Sequence, residues 1–398
     1  MTTGRNESAA TAAGARADLA ERVAAVVAVI EEEAPKADRE ALFPDRTLTE
    51  LRRTGLLGLL VPAEYGGLDG TPRDLVDTTV ALGRADMSAA MIFAMHCQQS
   101  EALVRYAGPA LRARVLPSVA DGGIYLASVT TEAGKGGHLF TSRAPLHAEG
   151  DWLRVERSAP IVTGGTRADG FLLTMLAPDA TADHHVSLVY AHRDQLTVES
   201  SGDWDPMGMR ASHSVPLRLT GRVPGDQVVG AHRGFHLIGQ SVFGPLAHLG
   251  WSAAWLGTAA GALSRVVRLL RDPAQRGGFA LDSELLLTRI SRARQRLDTV
   301  HALLRRVETL VTTGGDLSAP SAQLLMNNLK ITAAEECHAA VDGLVEAVGL
   351  RHGYLRNSPT GLEKALRDLR SASLNYGNDR LHLADGKLCL LDADVTFS

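Results

Sequence analysis

The sequence predicts a mainly α-helical fold with a central β-domain, in the order helices, antiparallel β unit, long helices. Three observations carry that prediction. Apolar residues recur at the helical period through the first third of the chain. After Gly122-Gly123 the texture changes to short β-rich runs divided by Gly, Asp and Pro. From Leu246 the helical period returns, in segments long enough for a helix bundle. The boundaries expected are 17–123 for an α-helical N-domain, 124–234 for the β-domain and 235–398 for a C-terminal four-helix domain, with residues 1–16 disordered.

Each element has its own signal. Leu19, Val23, Val26, Val27 and Ile30 form one stripe over Ala17 to Glu33. Leu48 to Thr54 reads as a short helix closed by Gly55, and Leu56 to Tyr65 runs apolar into the Gly66-Gly67 turn. Asp74–Arg84, Ser88–Tyr106 and Pro109–Ala120 continue the helical pattern. Strands are expected at Ile124–Val129, Trp152–Glu156, Phe171–Met175, His185–Tyr190 and Val215–Leu219. Long helices follow at Trp251–Leu270, Ser283–Thr313 and Ser318–Val348, the last two joined by a turn at Gly314-Gly315.

Composition excludes several classes. The chain of 398 residues is 45% hydrophobic and 22% charged, ordinary for a soluble globular protein. A net charge of −4 gives no electrostatic reason to expect nucleic acid or an anionic membrane as partner. No apolar run approaches the ~18 residues of a membrane span, and Met1–Arg16 lacks the apolar core of a signal peptide. A cytoplasmic protein is expected. Cys97, Cys337 and Cys389 are far apart and odd in number, which suggests reduced thiols. No metal site is expected.

Five segments carry candidate chemistry. Val61-Pro-Ala-Glu-Tyr-Gly-Gly67 is a glycine turn. Ser128-Val-Thr-Thr-Glu-Ala-Gly-Lys-Gly-Gly137 places hydroxyls and then glycines after a strand, an arrangement that offers N–H groups to a flavin ring or a phosphate. Ala159-Pro-Ile-Val-Thr163-Gly-Gly-Thr-Arg-Ala-Asp169 repeats the strand-to-glycine pattern. Trp204-Asp-Pro-Met-Gly-Met-Arg210-Ala-Ser-His-Ser214 is the most specific run. The last is Leu362 to Asn378, with Arg367-Asp368 and, eight residues on, Tyr376.

In this order the segments resemble the acyl-CoA dehydrogenase superfamily, which includes flavin monooxygenases of the same fold. The resemblance covers most of the chain. It implies FAD bound across a subunit interface, and hence a homodimer or homotetramer. Carried over residue by residue, the cofactor contacts are Val129, Thr130, Thr131, Ile161, Val162, Thr163, Arg276, Phe279, Gly349 and Asn378. Arg276 would reach the flavin diphosphate of a neighbouring subunit, a task suited to its forked donors. Ser128, Gly137, His138 and Ala247 are the implied substrate-pocket positions.

The departures from the family pattern sit around one presumed pocket. The glutamate that removes the substrate α-proton is replaced by Tyr376, whose unperturbed pKa near ~10 makes it a poor base. Ala247 stands near the position where some relatives keep a relocated base. His248 and His96 are the nearest other titratable candidates. The function expected first is an FAD-dependent oxidoreductase acting on the Cα–Cβ bond of an acyl thioester held on CoA or a carrier protein. The close alternative is a reduced-flavin monooxygenase on a small organic substrate, with a catalytically inactive flavin-binding scaffold as the outside reading. An electron-transfer or flavin-reductase partner goes with the first two.

Overall fold

The structure is a computed structural model that describes residues 3–134 and 138–397, with side chains from residue 16. It is mostly helical, with a β middle domain between two helical regions. The first region holds α1 (Thr3–Glu40), α2 (Asp45–Arg53), α3 (Pro72–Ala85), α4 (Met87–Tyr106) and α5 (Pro109–Ala120). Because α1 begins at Thr3, the backbone of residues 3–16, expected to be disordered, lies in its first turns. α3 starts where Thr71 accepts from the Asp74 N–H and the Asp74 carboxylate accepts from the Thr71 N–H. Asp86 caps α4 with a single bond, its carboxylate accepting from the Ala89 N–H.

The middle domain is two four-stranded sheets. One has the order β1 (Leu126–Val129), β4 (Gly170–Leu176), β5 (Val186–His192), β8 (Val228–Val229). The other runs β2 (His147–Glu149), β3 (Trp152–Ala159), β7 (Leu217–Pro224), β6 (Leu196–Ser200). The unit was expected to be antiparallel throughout, but β1 pairs with β4 in parallel, Leu126 opposite Gly170. Between them the chain crosses to the second sheet to build β2 and β3, the kind of long crossover that a parallel pair requires. β3 alternates exposed and buried residues, so it was legible. β4 is almost wholly buried and reads as one apolar run.

The C-terminal region holds α6 (Phe235–Ile238), a wide π-helical turn at Gly239–Phe243, α7 (Gly244–Arg271), α8 (Glu284–Thr312), α9 (Pro320–Gly349), α10 (Leu362–Arg370) and α11 (Asn378–Cys389). α7 is the central element, packed against α3 and α4 on one side and α8 and α9 on the other. α3 and α7 meet backbone to backbone. A Cβ at Gly257 would lie 2.4 Å from the Val80 carbonyl oxygen, and one at Gly83 2.7 Å from that of Ala254. α10 packs on α7 and α9, and α11 on α9. No described helix is long and apolar enough to cross a membrane.

Candidate active site

A cavity of about 1100 Å³ opens where the β-domain meets α4, α7, α9 and the segment from α10 to α11. That is slightly above the ~300–1,000 Å³ common for small-molecule sites. Its lining joins segments from all three regions: Ser128, Thr130 and Thr131; Ile161 and Thr163; Trp204 to Met209; Ala247 and His248; and Tyr376.

The β-side wall is fixed by hydrogen bonds. The Thr131 hydroxyl donates to the Ile161 carbonyl at 2.9 Å, which ties the second segment to the third. Behind it, buried Arg157 pairs with Glu132 at 3.1 Å and donates to the Thr131 carbonyl at 2.9 Å. Glu132 also accepts from the Ser142 hydroxyl and from the backbone N–H groups of Arg143 and Ala144. It therefore anchors the loop after β1. Thr163 and Ser214 share a hydroxyl hydrogen bond at 2.9 Å, and Ser214 and Ser212 another at 2.8 Å. All three residues line the cavity.

The fourth and fifth segments, far apart in sequence, meet here. The Met209 N–H donates to Asp368 at 2.7 Å, and Arg367 donates to the Met207 carbonyl at 3.0 Å. A Cβ at Gly208 would lie 2.1 Å from the Arg367 carbonyl oxygen, so only glycine allows this contact. Asp368, Lys364 and Asp86 form a buried charge node, with Lys364 at 2.7 Å from Asp368 and 2.6 Å from Asp86. Burial opposes the Lys364 charge, but the two carboxylates hold its pKa above the ordinary value. Arg367 grips Asp38 of α1 with both terminal nitrogens, at 2.7 and 3.2 Å. The Arg-Asp pair is thus a fastener between regions.

Tyr376 lines the cavity with its backbone in the left-handed region, φ +50. Such a conformation is uncommon for an aromatic residue and clusters at functional sites. Buried Lys330 of α9 holds it, donating to the Tyr376 carbonyl at 3.2 Å and to Asn378 Oδ1 at 2.7 Å. Burial lowers the Lys330 pKa to about 8, with Glu335 acting the other way. Burial raises the Tyr376 pKa, against the opposing field of Arg380, so the phenol stays protonated. His248 Nδ1 donates to the Met326 carbonyl at 3.2 Å, which leaves Nε2 unprotonated. Burial, reinforced by Lys330, lowers the His248 pKa to about 4.

The structure brings Ser128, Thr130, Thr131, Ile161, Thr163, Ala247, His248 and Tyr376 together and leaves other expected residues out. His96 is a core residue: its Nδ1 accepts from the Leu126 N–H at 3.0 Å, and its Nε2 donates to the Leu57 carbonyl at 2.8 Å. With both nitrogens engaged and no solvent exposure, it is structural. Val129 and Val162 point into the core and can offer only their backbones. Asn378 bridges Lys330 and Glu335 instead of facing the cavity. Arg276 and Phe279, in the α7–α8 loop, and Gly349, at the end of α9, lie outside the lining of this protomer's cavity. His138 is exposed and outside it too, and Gly137 falls outside the described residues.

Sequence reasoning missed Ser212, Ser214, Gln323 and Asn327, which line the cavity, and Lys330, which holds Tyr376 from behind it. Gln323, Asn327 and Lys330 stand at i, i+4 and i+7, polar positions that share one face of α9. That spacing was a signal available in the sequence. The π-helical turn at Gly239–Phe243 left none.

The cavity suits a flavin. Hydroxyls of Thr130, Thr131 and Thr163 line its β side, and Ile161, 50% exposed, offers an uncovered apolar surface for a flat ring. Met207 and Leu374, 64% and 67% exposed, are further cavity-lining side chains with apolar surface left open.

Comparison with known proteins agrees. The sequence pattern of the acyl-CoA dehydrogenase N-terminal domain matches residues 13–123, and that of the C-terminal domain matches residues 233–386. The fold is shared with butyryl-CoA dehydrogenase from Megasphaera elsdenii, at TM-score 0.84 and 16% identity over 94% of this chain and 98% of that one. It is shared equally with FMN-bound TdsC, a dibenzothiophene monooxygenase from Paenibacillus sp. A11-2, at TM-score 0.81 and 22% identity over 96% and 98%. In sequence the chain is 28% identical over 385 residues to L-evernosamine nitrososynthase from a Micromonospora species, covering 88% of this chain and 84% of the relative. The chain belongs to the acyl-CoA dehydrogenase family of flavin-dependent oxidoreductases.

Proposed function

We propose that this protein is a reduced-flavin-dependent monooxygenase acting on a small organic substrate. One observation carries the reading. Among the described residues, Glu132 is the single carboxylate lining the cavity, and it is already paired with Arg157. Removal of a weakly acidic α-proton needs an available base of suitable pKa. Tyr376 remains protonated, and His248, with a pKa of about 4, is a weak base. That favours oxygen chemistry over the acyl-thioester oxidation that the sequence placed first.

FAD would rest against Thr130, Thr131, Ile161 and Thr163. When bound and reduced, it supplies two electrons to O₂, so that one oxygen atom enters the substrate and the other leaves as water with two protons. The residues of the chain set the conditions. Tyr376 offers a hydrogen-bond donor, held in place by Lys330. Met91, Met95, Phe140, Phe243 and Trp251 give the cavity an apolar lining that limits water. The reductant comes from a flavin-reducing partner. Arg276, Phe279 and Gly349, outside this cavity, are read as contacts to the flavin of a neighbouring copy, which makes the working unit a homo-oligomer. TdsC and the nitrososynthase are the relatives that support this reading.

The test is anaerobic. FAD-loaded protein mixed with butyryl-, octanoyl- or palmitoyl-CoA keeps its oxidised flavin spectrum. Bleaching by any of the three would return the chain to the dehydrogenases.

A further inference from the structure

The cavity wall formed by α7 and α9 has a definite hydrogen-bonding polarity. Asn327 of α9 is 8% exposed and lines the cavity. Its Nδ2 donates to Asp385 Oδ1 of α11 at 2.6 Å, so its Oδ1 is left over as an acceptor. One turn earlier, Gln323 Nε2 donates to the Leu317 carbonyl, and Oε1 is left in the same way. His248 Nδ1 is bound to the Met326 carbonyl, and Nε2 presents a lone pair. None of the three atoms has a partner among the described residues, and none belongs to the buried unpartnered atoms, so each is open to a ligand. The amide nitrogens of Asn327 and Gln323 are both engaged with protein, and three acceptor atoms are left without a protein partner on this wall.

The other amides do not set a polarity. Gln98 on α4 is engaged at both ends, donating to Phe243 and accepting from Gln99. Gln240 and Asn375 line the cavity from other segments and can turn either way. Asp385 is itself 7% exposed with its second oxygen unpartnered, and burial raises its pKa. It touches Asn327 and not the cavity, so it acts as a positioning residue that fixes which end of the Asn327 amide faces inward.

We infer that Gln323, Asn327 and His248 form an acceptor surface that selects ligands bearing N–H or O–H donors, an amine or a hydroxylated small molecule. The thioester group of an acyl thioester brings only acceptors to these three atoms and would leave their lone pairs unpaired. The inference rests on the monooxygenase reading for its chemical setting, but its test does not depend on turnover.

The experiment is equilibrium dialysis of the full-length, oxidised FAD-loaded protein against matched neutral probes: phenol with anisole, and aniline with N,N-dimethylaniline. Each pair differs in its N–H or O–H donors. The donor-bearing member should bind about fivefold more tightly or better in both pairs, the value of a net hydrogen bond. Asn327→Leu and His248→Phe should each bring the ratio towards one, and Asp385→Asn should lower it by freeing the Asn327 amide to turn. A ratio of one or below in the unmodified protein overturns the inference, as does an unchanged ratio in both Asn327→Leu and His248→Phe. If the ratio holds while reduced FAD and O₂ give no oxygenated product, the acceptor surface stands and the monooxygenase reading falls.

Discussion

The two walls of the cavity differ in what they keep. The β-side wall carries Thr131 and Thr163, which the sequence matched to the family pattern, tied to Ile161 and Ser214. The helical wall holds the residues read from the sequence as departures: Ala247, His248 and Tyr376. Two histidines make the contrast concrete. His96 and His248 are both buried, and burial lowers both pKa values to about 4. His96 has both ring nitrogens committed to backbone, whereas His248 has one committed and one open. One supports the frame and the other lines the cavity. Burial and a lowered pKa thus do not by themselves fix a role; the count of engaged atoms separates the two.

The largest effect should come from breaking the frame. Lys364→Met leaves Asp86 and Asp368 buried without their cation and should cost about 3–5 kcal/mol, read in denaturant unfolding. Acid should expose the two histidines next. Their folded pKa values lie below the ordinary 6.5, so their stabilising effect is full above pH 6.5 and is lost as pH falls towards 4. Each contributes on the order of 3 kcal/mol to that loss, seen as a falling Tm. His96→Leu should then destabilise by about 2 kcal/mol at pH 7, because it strands the Leu126 N–H and the Leu57 carbonyl. His248→Leu strands only the Met326 carbonyl and should cost about 1 kcal/mol or less, while altering ligand binding. Equal stability losses for the two would break the comparison. Smallest is Thr163→Val, which removes one hydroxyl contact and should weaken FAD about fivefold in a fluorescence titration.

Much of the fold was legible because its signals are local. α5 was expected at Pro109–Ala120 and lies there, since Pro at the first helical position and an apolar stripe mark it directly. The parallel β1–β4 pair was not legible, because strand direction depends on where a long crossover returns. The site divided in the same way. Thr131, Thr163 and Tyr376 were singled out from motif spacing, and all three line the cavity. His96 was misjudged because a sequence shows that a histidine is present but not that Leu57 and Leu126 already use both its nitrogens. Asn327 and Lys330 were missed because their meaning comes from α11 and the Tyr376 backbone, which approach only in three dimensions.

The central claim is that the rebuilt helical wall serves oxygen transfer. Its most direct test is mass spectrometry of products from FADH₂-loaded protein mixed with ¹⁸O₂ and a panel of donor-bearing substrates: aniline, indole and methyl glucosaminide. Incorporation of one ¹⁸O atom into an organic product, with hydrogen peroxide release falling in proportion, is the predicted result. Release of all reducing equivalents as peroxide with every substrate, together with anaerobic flavin reduction by an acyl-CoA, would contradict it.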